Sequence, residues 1–496
     1  MKKKVVIVGG GVAGLSAGIY AVRSGFDVEI LEQHRICGGF STGWNRKGYY
    51  FEGGMHWLTG SSDKLPLNRI WKETGALQAN NPVENRDPVY TLIDGDKRIN
   101  LYRDLDKLKK ELLSYSPEDK RMINRMCRDI KYFKKVHFII NDVRGTKTKR
   151  ASHPSLLELF SMASAGLRYF QLLNTNYKDY VAKFKNKKIR QLLMTVIGNR
   201  YNAISFIYTM AAFSAGDSGY PAGGSVRMVE NMVNTFTSLG GKIRLNTKVE
   251  QIKVEDSHIT GVQTKDEFIL CDSLIVTSDA RMAIDSLFQK PLVYDSTENL
   301  RKRLQGELDG SQNMFVSIGV KADYSDMPHS MVLPLNEPLE YAGNKFDAIR
   351  INNYAKYKDH APDGGTSLTC LLICACYDFW KKAKDDGTYS KKKAEFAELF
   401  LEKVSPFLPG LKEKLEVIDI ATPITYERYC SSWKGTWMTI WKKGKKSPRF
   451  PQKLKEINNL YFAGQRIMMC GGLPVAVYTG RRAVQLLCKD TGMVFV

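Results

Sequence analysis

Residues 5–32 constrain the fold of this chain more than any other stretch. A short apolar strand, Val5-Val6-Ile7-Val8, runs directly into Gly9, Gly11 and Gly14 at GxGxxG spacing. An apolar helix follows, and then a second strand over 28–31 that ends in Glu32. This is a βαβ unit whose first turn suits a dinucleotide. Gly9 lets the chain turn off the strand. Gly11 lets the backbone approach a pyrophosphate, and Gly14 lets the helix pack closely on the sheet. The helix from Val12 and Ala13 aims its free N–H groups and positive dipole end at the phosphates. Glu32 lies 18 residues beyond Gly14, with Gln33 beside it. Its carboxylate accepts hydrogen bonds from a ribose diol and repels a 2′-phosphate. NADP is therefore disfavoured, and FAD or NAD fits.

At 496 residues the chain exceeds one hydrophobic core and implies two or three domains. Its nine cysteines are scattered without a CxxC, which predicts a reduced, cytoplasmic setting and no metal site. Cys370, Cys374 and Cys376 are expected on one buried face of a strand over 369–377. Lys2 to Lys4 imitate the start of a secretion signal, but only four apolar residues follow before the glycines. The formal charge of +22 is spread over lysine clusters at 147–150, 183–190, 391–393 and 442–449. No nucleic-acid-binding motif accompanies it, so nucleic acid is not an expected partner. An anionic membrane surface, contacted peripherally from its inner face, is. The apolar segment 156–173 is too short to span a bilayer. It either lies in the membrane interface or walls a hydrophobic tunnel.

The chain reads as interleaved domains. Residues 1–75 are α/β in character, and 85–215 are predicted mostly helical. Tyr220-Pro221-Ala222-Gly223-Gly224-Ser225 opens a helix with a buried stripe at Val226, Val229, Val233 and Phe236. Short strands are predicted at 243–245, 249–254, 259–264 and 274–277. A late strand at 460–464 precedes a glycine loop, Gly471-Gly472, then Leu473, Pro474, Ala476 and a final helix to about 488.

No second strand-linked GxGxxG occurs, as a reductase with its own NAD(P)H domain requires. Glycines at Gly38-Gly39 and Gly53-Gly54, and the late helix start at Gly472, can border a flat ring. The cofactor is therefore expected to be one tightly bound FAD.

At these motifs the chain resembles the phytoene desaturase, carotenoid isomerase and retinol saturase group of FAD proteins, within the amine oxidase superfamily. The likeness is strongest at 5–58, 219–280 and 417–488. It implies an α/β fold: a Rossmann-type, GR2-like FAD domain made of 1–75, 220–290 and 415–496. An α+β substrate domain, 76–219 and 291–414, is interleaved with it, with a mostly helical part at about 100–215 that is a candidate to face a membrane. The resemblance implies FAD contacts from Gly38, Gly39, Phe40, Ser41, Gly54, Met55, His56, Lys248, Val249, Ser278, Gly464, Gln465, Gly472, Leu473, Pro474 and Ala476. Many relatives carry arginine where this chain has Phe40.

The implied reaction is redox on a carbon–carbon bond of a long apolar substrate: desaturation, saturation or redox isomerisation. His56, Glu427 and Tyr426 are the acid–base candidates. Arg428 is a candidate ion-pair partner of Glu427, and His34 is expected near the adenosine. One alternative is an amine oxidase or protoporphyrinogen-oxidase type of flavoenzyme. Another is a non-enzymatic lipid- or prenyl-binding protein like the Rab GDP-dissociation inhibitors. The substrate, the direction of reaction and the electron partner stay open at this level.

Overall fold

The computed structural model describes residues 2–148, 152–163, 165–304, 307–308, 312–438, 440–441, 450–468 and 471–496. Lys149 and Arg150, the basic run 442–449, and Met469 and Cys470 before the late glycine loop lie outside the described residues.

The first unit is formed by β1 (Lys4–Val8), α1 (Val12–Arg23) and β2 (Asp27–Leu31). Distant segments add β3 (Lys242–Arg244), β4 (Ser273–Val276) and β5 (Leu460–Phe462). The sheet order is β3-β2-β1-β4-β5, and every neighbouring pair is parallel. Val5, Val6, Ile7, Leu274 and Ile275 are completely buried, as strands covered on both faces must be. A small antiparallel sheet of Val249–Glu255, His258–Thr264 and Phe268–Leu270 is inserted between β3 and β4.

Close backbone approach holds this layer together. A Cβ on Gly14 would lie 1.9 Å from the carbonyl oxygen of Gly9, so only glycine lets α1 leave β1 so tightly. The last helix, α2 (Gly472–Thr491), crosses α1 at Gly480, where a Cβ would come within 2.4 Å of the Ala13 carbonyl oxygen. Ser16 Oγ donates to the Val477 carbonyl oxygen at 2.7 Å across the same crossing.

A second sheet has seven strands, in the order Leu415–Ala421, Gln312–Val320, Thr366–Cys374, Asn344–Asn353, Ser330–Tyr341, Tyr90–Asp94 and Lys97–Leu101. Its pairs are antiparallel except that of Ser330–Tyr341 with Tyr90–Asp94. Two expectations change here. Leu415–Ala421 is an edge strand of this sheet, beyond the boundary expected at 415. The stretch 85–215 is not helical at its start, because 90–101 is a hairpin turned by Gly95 and Asp96 between Asp94 and Lys97. Gly95 has φ +59°, and its turn chemistry, with Tyr90, Leu92, Ile99 and Leu101 all buried, outweighs helical spacing.

The helix over Gly224–Ser238 buries Met228, Val229, Met232 and Phe236; Val226 and Val233 sit at the margin. Cys370 and Cys374 share the buried face of their strand. Cys376 lies past its end, with its sulfur 2.6 Å from that of Cys374. The segment 156–173 forms two short helices, Leu156–Ala163 and Gly166–Leu173.

Candidate functional site

A cavity of about 480 Å³ opens at the carboxyl ends of β1, β2 and β4, where ligands of open parallel sheets bind. One wall is Gly9, Gly11, Val12 and Ala13. The N-terminus of α1 has Gly11 as its cap and no capping side chain, so its first N–H groups are left for a ligand. Glu32 borders the cavity with its carboxylate held by backbone: Oε2 accepts from Gly10 N at 2.7 Å and Oε1 from His34 N at 2.9 Å. Gln33 stands beside it and donates to Ser431 Oγ at 3.2 Å. Lys248, Val249 and Ser278 border the same cavity, as do Gly38, Gly39, Phe40, Ser41, Gly464, Gln465, Leu473 and Ala476. The expected dinucleotide contacts thus come from five separate stretches of chain and meet on one surface. An uncapped helix start, a carboxylate at the second strand end and glycine-lined walls fit a dinucleotide.

Other expected residues lie elsewhere. Gly14 is behind the wall, in the packing of α1. Gly472 and Pro474 form the first turn of α2 without bordering the cavity. Gly54 and Met55 belong to a turn organised by Glu52, which is wholly buried. Glu52 Oε1 accepts from Gly54 N and Met55 N, both at 3.0 Å. Its Oε2 accepts from Ser225 N at 2.8 Å and from the Tyr220 hydroxyl at 3.2 Å. Burial raises the pKa of Glu52 above the usual carboxylate value, while the Ser225 side chain and these N–H groups pull the other way.

The next residue on that turn, His56, faces a second cavity of about 30 Å³, bordered also by Trp57, Arg86, Tyr90, Phe213 and Arg350. Asn352 Nδ2 donates to His56 Nδ1 at 2.9 Å, which leaves the ring proton on Nε2. Burial, then the charges of Arg350 and Arg86, push the His56 pKa down to about 3. The ring is therefore neutral at physiological pH. It offers an N–H donor from Nε2 to the cavity.

The other acid–base candidates do not join it. Glu427 borders the dinucleotide cavity, where the Tyr377 hydroxyl donates to its two oxygens at 2.8 and 3.0 Å. Arg428 lies over the Tyr429 ring, 5.3 Å from its centre, rather than on Glu427. Tyr426 is stacked on Phe40 with ring centres 5.6 Å apart. His34 packs on Tyr429 and its Nε2 meets the Tyr429 carbonyl oxygen at 2.8 Å.

Several residues of these sites escape a reading of the sequence. Glu52 carries a usable signal, an acid directly before a double glycine. Arg466 brings a guanidinium to the dinucleotide wall, paired with Asp279, in a region where Phe40 supplies no charge. Arg86, Arg350 and Asn352 join His56 only through the second sheet and leave no local pattern.

The family of flavin-containing amine oxidoreductases matches residues 12–488. The chain is 24% identical to the all-trans-retinol 13,14-reductase of Danio rerio, over 94% of this chain and 83% of that protein. It is 23% identical to the lycopene-forming phytoene desaturase of Pseudescherichia vulneris, over 98% and 99% of the two chains. Among solved structures, an oxidoreductase from Methanosarcina mazei superposes with a TM-score of 0.60 at 18% identity, covering 96% of this chain and 98% of that one. With a parallel sheet that gathers a glycine turn, Glu32 and the 464–476 segment around one cavity, and a family match over nearly its whole length, the chain belongs to the flavin-containing amine oxidoreductases and is an FAD-dependent oxidoreductase.

Proposed function

We propose that this enzyme performs redox chemistry on a carbon–carbon bond of a long apolar substrate of polyene, isoprenoid or lipid type, as desaturase, saturase or redox isomerase. Relatives named for retinol reduction and phytoene desaturation support that substrate class. The observation that carries the reading is the turn 52–57, whose two sides face different sites. Gly54 lies against the wall of the dinucleotide cavity, where an added Cβ would come 2.3 Å from the Phe40 carbonyl oxygen. Two residues on, His56 enters the second cavity.

The contacts proposed for FAD follow the cavity wall. Gly11 to Ala13 and the start of α1 take the pyrophosphate, Glu32 the ribose, Lys248 and Val249 the adenine. Leu473 and Ala476, where the 472–476 turn reaches the cavity, take the ring end, with Gly54 packed behind that wall against Phe40. Bound FAD supplies two-electron redox chemistry. Glu52 fixes the turn, so Gly54 and His56 cannot move independently. His56, neutral and held by Asn352, presents its Nε2–H to the second cavity. Trp57 and Phe213, packed edge to face at 5.2 Å, keep water from that side. The proposed division of the chain assigns the parallel sheet to the cofactor, and the seven-stranded sheet with the helices of 105–215 to the substrate. An amine substrate is less well supported, because Arg86 and Arg350 would repel an ammonium group from the cavity beside His56.

The test is anaerobic. Long polyenes are mixed with the oxidised and with the dithionite-reduced protein while the flavin spectrum is followed. The expected result is electron exchange in one direction, with a product changed in the number or position of its double bonds. Flavin reduction by simple amines, with no response to any polyene, overturns the reading.

A further inference from the structure

The cavity beside His56 carries more positive charge than its own walls balance. Arg350, on the strand Asn344–Asn353, is only 8% exposed. Its Nη1 donates to the Tyr90 hydroxyl at 3.0 Å and to the carbonyl oxygens of Thr195 and Val196 at 3.2 and 3.4 Å. Among the described residues its Nε and Nη2 have no acceptor, and no carboxylate lies within ion-pair distance of it. Arg86 borders the same cavity. Its guanidinium lies 4.2 Å from the centre of the Tyr220 ring. Nη1 meets His329 Nε2 at 2.6 Å, and Nη2 donates to the Tyr357 hydroxyl. Its carboxylate partner is Glu84, which borders the same cavity 3.4 Å from Arg86 and accepts from the Tyr357 hydroxyl at 2.6 Å; one carboxylate, with a side chain 56% exposed, thus faces two guanidinium groups. Glu52, the buried acid behind Tyr220, is already filled by three backbone N–H groups and the tyrosine.

A buried guanidinium without a matching anion is costly, and a planar carboxylate is the group its fork fits best. The cavity volume of about 30 Å³ admits a headgroup and excludes a polyene chain. The side formed by Trp57 and Phe213 is apolar. We propose that this cavity is an anion subsite that takes the carboxylate of a long unsaturated carboxylic acid, gripped by Arg350 and Arg86 with Asn352 and His56 Nε2–H alongside. The proposal rests on the reading that the substrate is a long apolar molecule, and it narrows that class to acids. The neutrality of His56 accords with it, since a protonated ring would need an anion of its own.

The test compares oleate, oleyl alcohol and methyl oleate, each below its aggregation limit. Binding to the FAD-loaded protein is followed by tryptophan fluorescence and by calorimetry. Oleate is expected to bind at least about tenfold tighter than the alcohol or ester, the worth of one charge-assisted hydrogen bond. Arg86→Gln should bring that ratio close to one, and Arg350→Lys, which keeps the charge but loses the planar fork, should lower it severalfold; an unchanged ratio in both folded variants overturns the subsite. If Arg350→Lys does not fold, the wild-type ratio and Arg86→Gln decide. Equal binding of acid and alcohol by the wild type overturns the subsite and leaves the apolar-substrate reading standing. No binding of any of the three overturns the subsite and removes support from that reading as well. Acetate or inorganic phosphate binding as tightly as oleate marks an adventitious anion site and overturns the proposal too.

Discussion

Gly11 and Gly14 separate two roles that the fingerprint joins. At Gly14 a Cβ would collide with the Gly9 carbonyl oxygen at 1.9 Å, so Gly14→Ala damages the fold and the site together. Gly11 has φ −72°, and a Cβ there would meet the Gly38 carbonyl oxygen at 3.7 Å and Gly39 Cα at 4.0 Å, ordinary contacts. Gly11→Ala is therefore expected to change the stability of the FAD-free protein by less than about 0.5 kcal/mol. It should also weaken FAD binding by about tenfold or more, because the added methyl occupies the place of the pyrophosphate. Thermal unfolding of the apoprotein and flavin titration read the two effects apart. His56 teaches a different lesson at the same scale. Its identity suggests proton transfer, while Asn352 holds its Nδ1 as an acceptor and burial beside Arg350 and Arg86 favours the neutral ring.

At the scale of elements, the final helix acts as a clamp. It lies in the groove of α1 through Gly480 and reaches the 76–219 region through one buried ion pair. Arg481 Nη1 and Nη2 both donate to Asp142, the second at 3.3 Å, and both side chains are 2% exposed. Asp142 also accepts from Ser152 N at 2.7 Å, and its pKa lies below the usual carboxylate value because Arg481 and these donors outweigh its burial. Arg481→Ala would strand that carboxylate and is expected to destabilise the protein by about 3–5 kcal/mol. Chemical denaturation measures this, and a loss under about 1 kcal/mol would show that water replaces the arginine. The α1 unit was readable because its elements are adjacent in sequence and its spacing has a steric cause. The hairpin at 90–101 was not, because its short apolar alternation sits beside a long helical pattern. Leu415–Ala421 falls in the range expected for the FAD domain yet pairs in the seven-stranded sheet, since an edge strand carries no local sign of its neighbour.

For the whole molecule, the segment 156–173 presents a cluster of apolar side chains to solvent. Leu156, Leu157, Phe160 and Leu167 are 80–87% exposed, so these side chains face solvent rather than wall a tunnel. The helix Lys120–Phe133 is tied to this segment by the pair Arg168–Asp129 and is followed by exposed Lys134 and Lys135. No helix among the described residues is long and apolar enough to cross a membrane. We propose peripheral binding to anionic membrane through this patch. Flotation with anionic vesicles should capture the protein, with capture falling as salt rises and lost in a Leu157→Glu, Phe160→Glu double variant. No capture at any ionic strength would end the idea. Sequence alone determined the dinucleotide turn and the buried strands at 5–8 and 274–276, because these depend on local sterics or on burial of a contiguous apolar run, and the FAD expectation, because a second nucleotide fingerprint is a local motif and none occurs. Tertiary structure decided which side chains share a cavity with His56. Arg86 reaches it from 30 residues along the chain, and Arg350 and Asn352 from one strand nearly 300 residues away, and their desolvation and mutual charge set a chemistry that no local spacing encodes.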